Sequence, residues 1–380
     1  MSSTFSGFFG GGGGTERVGS VRGGFYGDAA PDYERLDGRT IQRSTYPDLE
    51  VLFPIGKLTG TIRTLAASPT AIPVIATANH FVAAGANTAN AVQFSSDGAS
   101  WATSATAGSV AVSVLIQTPV RLIALSSTVQ AAIVSSNLTP AATWTATSSG
   151  PTALTAGTSR GCYHAAGARA VAVHQSTGVS TLDDGSTTWV ARTSTARQGV
   201  TSTGTRVIGI APGTATASVS VDNGVTWADF TLPEAIAASQ GGIASNGTGT
   251  VVITGAAAGL MVSYDHGVTW QVMQLVGVAP SDAWKVQFSG GCFIIPTTRG
   301  LMMSLDARDW QLDPNPVQSF GTGVGVARKG TTIVQIPGGS TTAYSFAESA
   351  TEYLLPNLTA LTPSISGAPT PLAPLYIRAQ

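Results

Sequence analysis

Five aspartates stand four to six residues ahead of a tryptophan: Asp97, Asp183, Asp222, Asp265 and Asp306 precede Trp101, Trp189, Trp227, Trp270 and Trp310. A carboxylate can act as acid, base, cation ligand or cap of a turn, and here the spacing selects the cap. In "SVDNGVTW" (220–227) and "SYDHGVTW" (263–270) it opens an Asp-Asn-Gly or Asp-His-Gly turn. There it can accept turn amide hydrogens, while Gly224 or Gly267 tolerates a positive φ. The tryptophan, a large apolar plate, is then placed to pack between neighbouring sheets. All five aspartates are therefore expected to be structural.

The other reactive side chains are scattered. His80, His164, His174 and His266 show no metal-ligand spacing, and His266, inside a turn, is expected to be exposed. Cys162 and Cys292 have no Cys-x-x-Cys or Cys/His neighbour and read as buried thiols. No metal and no cofactor is expected. Glycoside hydrolysis needs two carboxylates across the scissile bond, yet Glu234 is the sole glutamate between Trp101 and Trp310. The chain is accordingly expected not to be an enzyme. One tryptophan, Trp284, lies outside the recurring pattern. It opens an apolar strand, "AWKVQF", and with Lys285 is the expected border of a ligand site.

Composition narrows the partners. Charged residues are 10% of the chain, against about 25% in an average globular protein. The 16 arginines and 3 lysines form no basic run, so nucleic-acid binding is not expected. No stretch approaches the ~20 apolar residues of a membrane span, so no membrane insertion is expected. "MSSTFSGFFGGGGG" has neither a basic start nor a continuous apolar core, which argues against a signal peptide and for synthesis in a cytosol.

The elements that carry the aspartates repeat. Adding the degenerate "SSNLTPAATW" ending at Trp144, six of the seven tryptophans fall at intervals of 43, 45, 38, 43 and 40 residues. Ahead of each box lies a short apolar run: 81–84, 122–125, 170–173, 207–210, 251–254 and 293–296, with a seventh at 333–336. A further run follows each, from "AVQFS" to "TTAYS". Short strands at a period of about 40–45 residues are the signature of β-propeller blades. One four-stranded sheet cannot bury both faces alone, whereas a ring of them can. The expectation is an all-β, seven-bladed β-propeller, with six blades as the alternative. The seventh unit has no box after "TTAYS", and the unused stretch 60–66 ("GTIRTLA") is the expected fourth strand of blade seven.

The Ser-x-Asp-x-Gly-x-Thr-Trp pattern resembles the Asp box of sialidases and other BNR-repeat propellers. That resemblance implies a box closing the hairpin between the third and fourth strands, on the face away from any active site. A sialidase site would also need three arginines on a substrate carboxylate. Arg160, Arg169, Arg192, Arg197, Arg206 and Arg299 are available, but several stand just before second strands, at turns, and the Arg-Ile-Pro opening is missing.

The ends do not follow the repeat. "YERLDGRTIQRSTYPDLEVLFPIG" (33–56) resembles the phage tail-collar motif through Leu36, Asp37, Gly38, Arg43, Ser44, Tyr46, Leu49, Ile55 and Gly56. The phrase that continues it there occurs here only in "ATEYLLPNLTAL" (350–361), and "PLYIRAQ" resembles the ending of many tail-fibre proteins. A competing reading makes "ATEYLLPNL" (350–358) a decayed seventh box, with Tyr353 in place of tryptophan. The collar reading divides the chain into a Gly-rich attachment segment (1–30), a first half-module (31–58), the inserted propeller (59–349), and a second half-module with a Pro-rich tail (350–380). The resemblance implies a bacteriophage virion protein of the tail fibre or tail tip, localised to the virion after synthesis in the host cytoplasm. Its implied partners are other tail proteins, further copies of itself as a trimer, and a host-surface glycan or receptor.

Overall fold

The computed structural model describes residues 21–23, 33–35, 39–51, 54–66, 74–84, 92–104, 112–126, 132–148, 160–174, 178–192, 197–238, 241–257, 259–274, 285–313, 324–337, 341–354 and 375–378. Apart from two short 3-10 turns, the elements are all strands. Near the N-terminus these are β1 (Val21–Gly23), β2 (Tyr33–Arg35), β3 (Thr40–Gln42) and β4 (Leu58–Thr64).

Seven four-stranded antiparallel sheets form a seven-bladed β-propeller. Blades 1 to 6 span residues 74–104, 112–146, 160–192, 199–231, 242–273 and 287–313, each with its strands in chain order from the inside out. The inner strands are Val74–Ala76, Val112–Gln117, Arg160–His164, Gly199–Ser202, Gly242–Ser245, Gln287–Ser289 and Val324–Lys329. Each touches the next, and the last returns to the first, so the ring is closed. The apolar runs read from the sequence are the second strands and are almost wholly buried, as are the third strands behind them. Runs apolar on both faces are what sheets sandwiched between like sheets require.

Blade 7 takes its inner three strands from residues 324–348 and its outer strand from β4. The order therefore breaks once, and it explains the count of boxes. Blade 7 has no chain connection from its third to its fourth strand, so it has no turn for an Asp box. Tyr353 is not part of a blade: it lies opposite Ile41, where Glu352–Leu354 pairs with β3, which rules out the decayed-box reading of 350–358.

The chain separates into two compact units, residues 60–310 with 314–347, and residues 1–59 with 311–313 and 348–380. The smaller unit is knit from both ends of the chain. Besides the β3 pairing, Leu375–Arg378 runs between β1 and β2. Ile41, Leu49, Ile55 and Tyr353 form a small buried core. The Arg43 guanidinium lies 4.6 Å from the Tyr353 ring centroid and donates to Glu50 at 3.3 Å. The Gly56 amide donates to Glu348 at 3.0 Å, and a Cβ at residue 56 would sit 2.0 Å from the Ser349 carbonyl oxygen, which only glycine permits. Of the tail-collar residues, Leu36, Asp37 and Gly38 lie outside the described residues.

Candidate functional site

The boxes are built in two lengths. In the eight-residue copies Asp222 accepts from the Thr226 amide at 2.8 Å and its hydroxyl at 2.6 Å, and Asp265 makes the same two bonds to Thr269. The preceding serine ties in the same carboxylate and accepts the glycine amide: Ser220 from Gly224, Ser263 from Gly267. Asn223 and Gly224, like His266 and Gly267, have positive φ, the pair of left-handed residues that a type I′ turn demands. The seven-residue copies lack one residue and bond one position earlier. Asp97 accepts from Ala99 and Ser100, and Asp306 from Arg308 and Asp309. Only Gly98 and Ala307 there have positive φ.

Electrostatics follow geometry. Burial opposes ionisation of Asp222, but the Thr226 hydroxyl and amide and the Ser220 hydroxyl outweigh it and hold the pKa at about 2; Asp265 is held at about 2 in the same way. The Ser100 amide, followed by that of Ala99, lowers Asp97. Asp183 departs from the pattern. Its carboxylate pairs with Arg169, and the turn is closed by the Ser186 amide on the Asp183 carbonyl at 3.0 Å.

The indoles wedge the blades apart at a fixed spacing. Trp101 packs against Val334 and Ile336 of blade 7, and Trp144 shares a buried cluster with Val82 and Phe94 of blade 1. Trp189 does so with Val114 and Ile116 of blade 2, Trp227 with Val171 and Val173 of blade 3, and Trp270 with Ile210 and Ala217 of blade 4. Each of these five indoles thus packs in the seam to the preceding blade. Trp227, Trp270 and Trp310 also donate Nε1–H to the carbonyls of Gly224, Gly267 and Ala307.

Polar ties cross the same seams. Arg121 of blade 2 donates to the carbonyls of Asp183 and Ser186 in blade 3, and Arg169 of blade 3 to the Asn223 carbonyl in blade 4. His164, 1% exposed, holds Ser202 Oγ at 2.9 Å through Nδ1 and Asn223 Oδ1 at 3.1 Å through Nε2; burial lowers its pKa. His266, half-buried rather than exposed, bonds through Nδ1 to the Thr203 carbonyl at 2.9 Å, so that nitrogen carries the proton. Tyr264 reaches the Ala307 carbonyl, Arg328 the Gly290 carbonyl, and Lys329 the carbonyls of Asn79 and Ser96, where blade 7 meets blade 1. Between blades 1 and 2 the Trp144 indole donates to Ser104 Oγ. Of these residues, the sequence places Arg169 at a turn before a second strand. Their reach into the next blade has no sequence signature.

Of the six candidate arginines, Arg169, Arg192 and Arg197 serve the scaffold. Arg197, 3% exposed, binds Ser218 and Asp229, and Arg192 donates to Thr181 Oγ1 at 2.9 Å. Cys292 is buried as expected, whereas Cys162 is half-buried rather than buried; desolvation pushes its thiol up to about 12. Among the described residues no group of three or more His, Cys, Asp or Glu could hold a metal ion. Of the expected ligand border, Trp284 lies outside the described residues. Lys285 is half-buried, with its backbone against Gly242 of blade 5.

No protein-family model and no curated protein sequence matches the chain. Solved structures do. One, "YCF48 bound to D1 peptide", superposes with a TM-score of 0.57 at 11% identity, over 78% of this chain and 98% of that one. A selenomethionine-substituted virginiamycin B lyase from Staphylococcus aureus gives 0.57 at 9% identity, over 77% and 99%. The GH74 xyloglucanase from Xanthomonas campestris gives 0.52 at 14% identity, over 77% and 43%. At these identities the likeness establishes one thing, the seven-bladed β-propeller fold.

Proposed function

We propose that this chain is a bacteriophage virion protein of the tail fibre or tail tip, whose propeller is a binding head for a host-surface glycan or receptor. The observation that carries the reading is the smaller unit. Arg43 and Gly56, which carry the tail-collar resemblance together with the buried Leu49 and Ile55, meet Tyr353, Glu348 and Ser349 from the far end of the chain. A propeller held on a module made from both ends suits a head carried on a fibre, since an inserted domain is best tolerated when its ends lie close together.

The binding would be polar and aromatic rather than ionic, given so few charges, and hydroxyl-rich glycans suit it. The boxes and the seam residues on their side are occupied in holding blades together. The ligand face is therefore assigned to the opposite loops, with Trp284 and Lys285 kept as its expected border. Catalysis is not part of the proposal: of the six arginines that could have gripped a substrate carboxylate, Arg169, Arg192 and Arg197 are instead bonded to Asn223, Thr181, Ser218 and Asp229.

The test is binding of the purified full chain to a glycan array and to bacterial cells, with competition against phage adsorption. Saturable binding that blocks adsorption supports the proposal. A chain that binds neither glycans nor cells, yet is found in the particle, is a structural spacer or decoration.

A further inference from the structure

The outer strand of blade 7 differs from the other six. Those span three or four residues each: Ala102–Ser104, Trp144–Ala146, Val190–Arg192, Ala228–Thr231, Gln271–Met273 and Gln311–Asp313. β4 spans seven, Leu58–Thr64, and among the described residues no strand lies on its far side. Its ladder is regular. The Leu65 amide bonds the Thr341 carbonyl at 2.7 Å, and the Ser349 amide bonds the Lys57 carbonyl at 2.9 Å. Both pairs fit one register across the strand; at its start the Lys57 amide turns to the Glu352 carbonyl at 3.0 Å, and the outward amide of Leu58 is held by Asp313 Oδ2 at 2.8 Å.

That register fixes which backbone groups face outward. In an antiparallel ladder a residue's N–H and C=O point to the same side, and the side alternates along the strand. Lys57 and Leu65 point inward, so Gly60, Ile62 and Thr64 present donor and acceptor outward. Natural edges are blunted by bulges, prolines or charges. β4 has no proline, and its one charge, Arg63, is engaged on Ser345 Oγ at 2.8 Å. Ile62 is 68% exposed.

We infer that β4 is an oligomerisation edge, and that its occupant is β4 of a second copy of this chain, paired antiparallel about a two-fold axis at Thr61. The sequence is complementary to itself in that register. Gly60 and Ile62 exchange both backbone bonds with Ile62 and Gly60 of the second copy. Each isoleucine covers the glycine opposite, which has no side chain to oppose it. The two Thr61 form a close non-hydrogen-bonded pair, a favourable cross-strand match. Arg63 falls opposite Thr59, which keeps the two cations apart. Such an isologous contact closes on itself at two chains.

Sedimentation equilibrium of the full chain tests this together with three variants. The wild type is expected at twice the chain mass of 38.4 kDa. Ile62→Pro removes an outward N–H while leaving the inward ladder intact, and is expected to halve that mass. Thr61→Cys is expected to form a disulfide-linked pair on mild oxidation, because non-hydrogen-bonded partners stand about 4.5 Å apart at Cα. Thr59→Cys, whose partner is Arg63, is expected not to link. A monomeric or three-chain wild type overturns the inference. So does Thr61→Cys that fails to link, or that links no better than Thr59→Cys, and this comparison decides the matter if Ile62→Pro does not fold.

Discussion

The ring of Trp270 stacks on that of Phe230, centroids 6.4 Å apart and planes at 21°, across the seam between blades 5 and 4. Trp270 ends a box and Phe230 lies in the outer strand of the preceding blade. The contact shows how a turn motif becomes a joint between sheets. The box fixes the backbone, the backbone aims the indole, and the indole fills the seam.

Removing that indole opens the seam. Trp270→Ala is expected to cost about 3 kcal/mol, at the lower end of the range for large-to-small aromatic changes because the ring is only partly buried. Phe230→Ala should cost less. The double variant should show a coupling of about 1 kcal/mol in urea unfolding, the value expected for an aromatic pair. Additive effects would mean that the stacking contributes nothing beyond area.

The boxes are unequal. Asp265→Ala deprives the Thr269 amide, the Thr269 hydroxyl and the Ser263 hydroxyl of their shared acceptor, and should cost about 1–2 kcal/mol. Asp183→Ala removes an ion pair with a half-exposed carboxylate and should cost under about 1 kcal/mol. Chemical denaturation of the two variants in parallel checks the order.

Ala307 occupies a position where its counterpart in the first box is glycine: φ is +62° at Ala307 and +74° at Gly98. Ala307→Gly should therefore stabilise the chain by up to about 1 kcal/mol, by relieving left-handed strain. Gly267→Ala should do the reverse. Its φ is +81°, and a Cβ would sit 2.2 Å from Ile208 Cδ1 of the preceding blade. Melting temperatures that move in the same direction for both would contradict the turn geometry.

Two pH dependences follow, in different windows. The folded-state pKa of His164 lies below its ordinary 6.5, so the unfolded chain binds the proton more readily. The stability this site contributes is present above that value and falls as pH drops through it. Asp222 and Asp265 are also depressed, from 3.8 to about 2, so their contribution persists to lower pH and is lost as pH falls from about 4 towards 2. Melting curves from pH 8 to 5 should show a loss in the wild type that is reduced in His164→Gln. An unchanged slope would remove His164 from that seam.

The fold was legible because its signals are periodic. Tryptophans and apolar runs recur at blade length since every blade solves the same burial problem, and a missing box in unit seven announced a strand borrowed from elsewhere. The Leu58–Thr64 strand fills that place, starting two residues before the stretch read from sequence. The seam ties were less legible. His266 read as an exposed turn residue because its partner, Thr203, is 63 positions away in the preceding blade. Asp183 read as a turn cap because nothing local shows that Arg169 lies beside it. Such pairings depend on the angle between adjacent sheets, which no short stretch of sequence encodes. Trp284, one half of the expected ligand border, lies outside the described residues.

The most direct measurement is an electron-microscopic reconstruction of the phage particle proposed to carry this chain. The account predicts a seven-fold ring of density at the far end of the tail or its fibres, joined to the particle through the module that contains both chain termini. A particle without that ring, or a ring on the capsid remote from the tail, would contradict it.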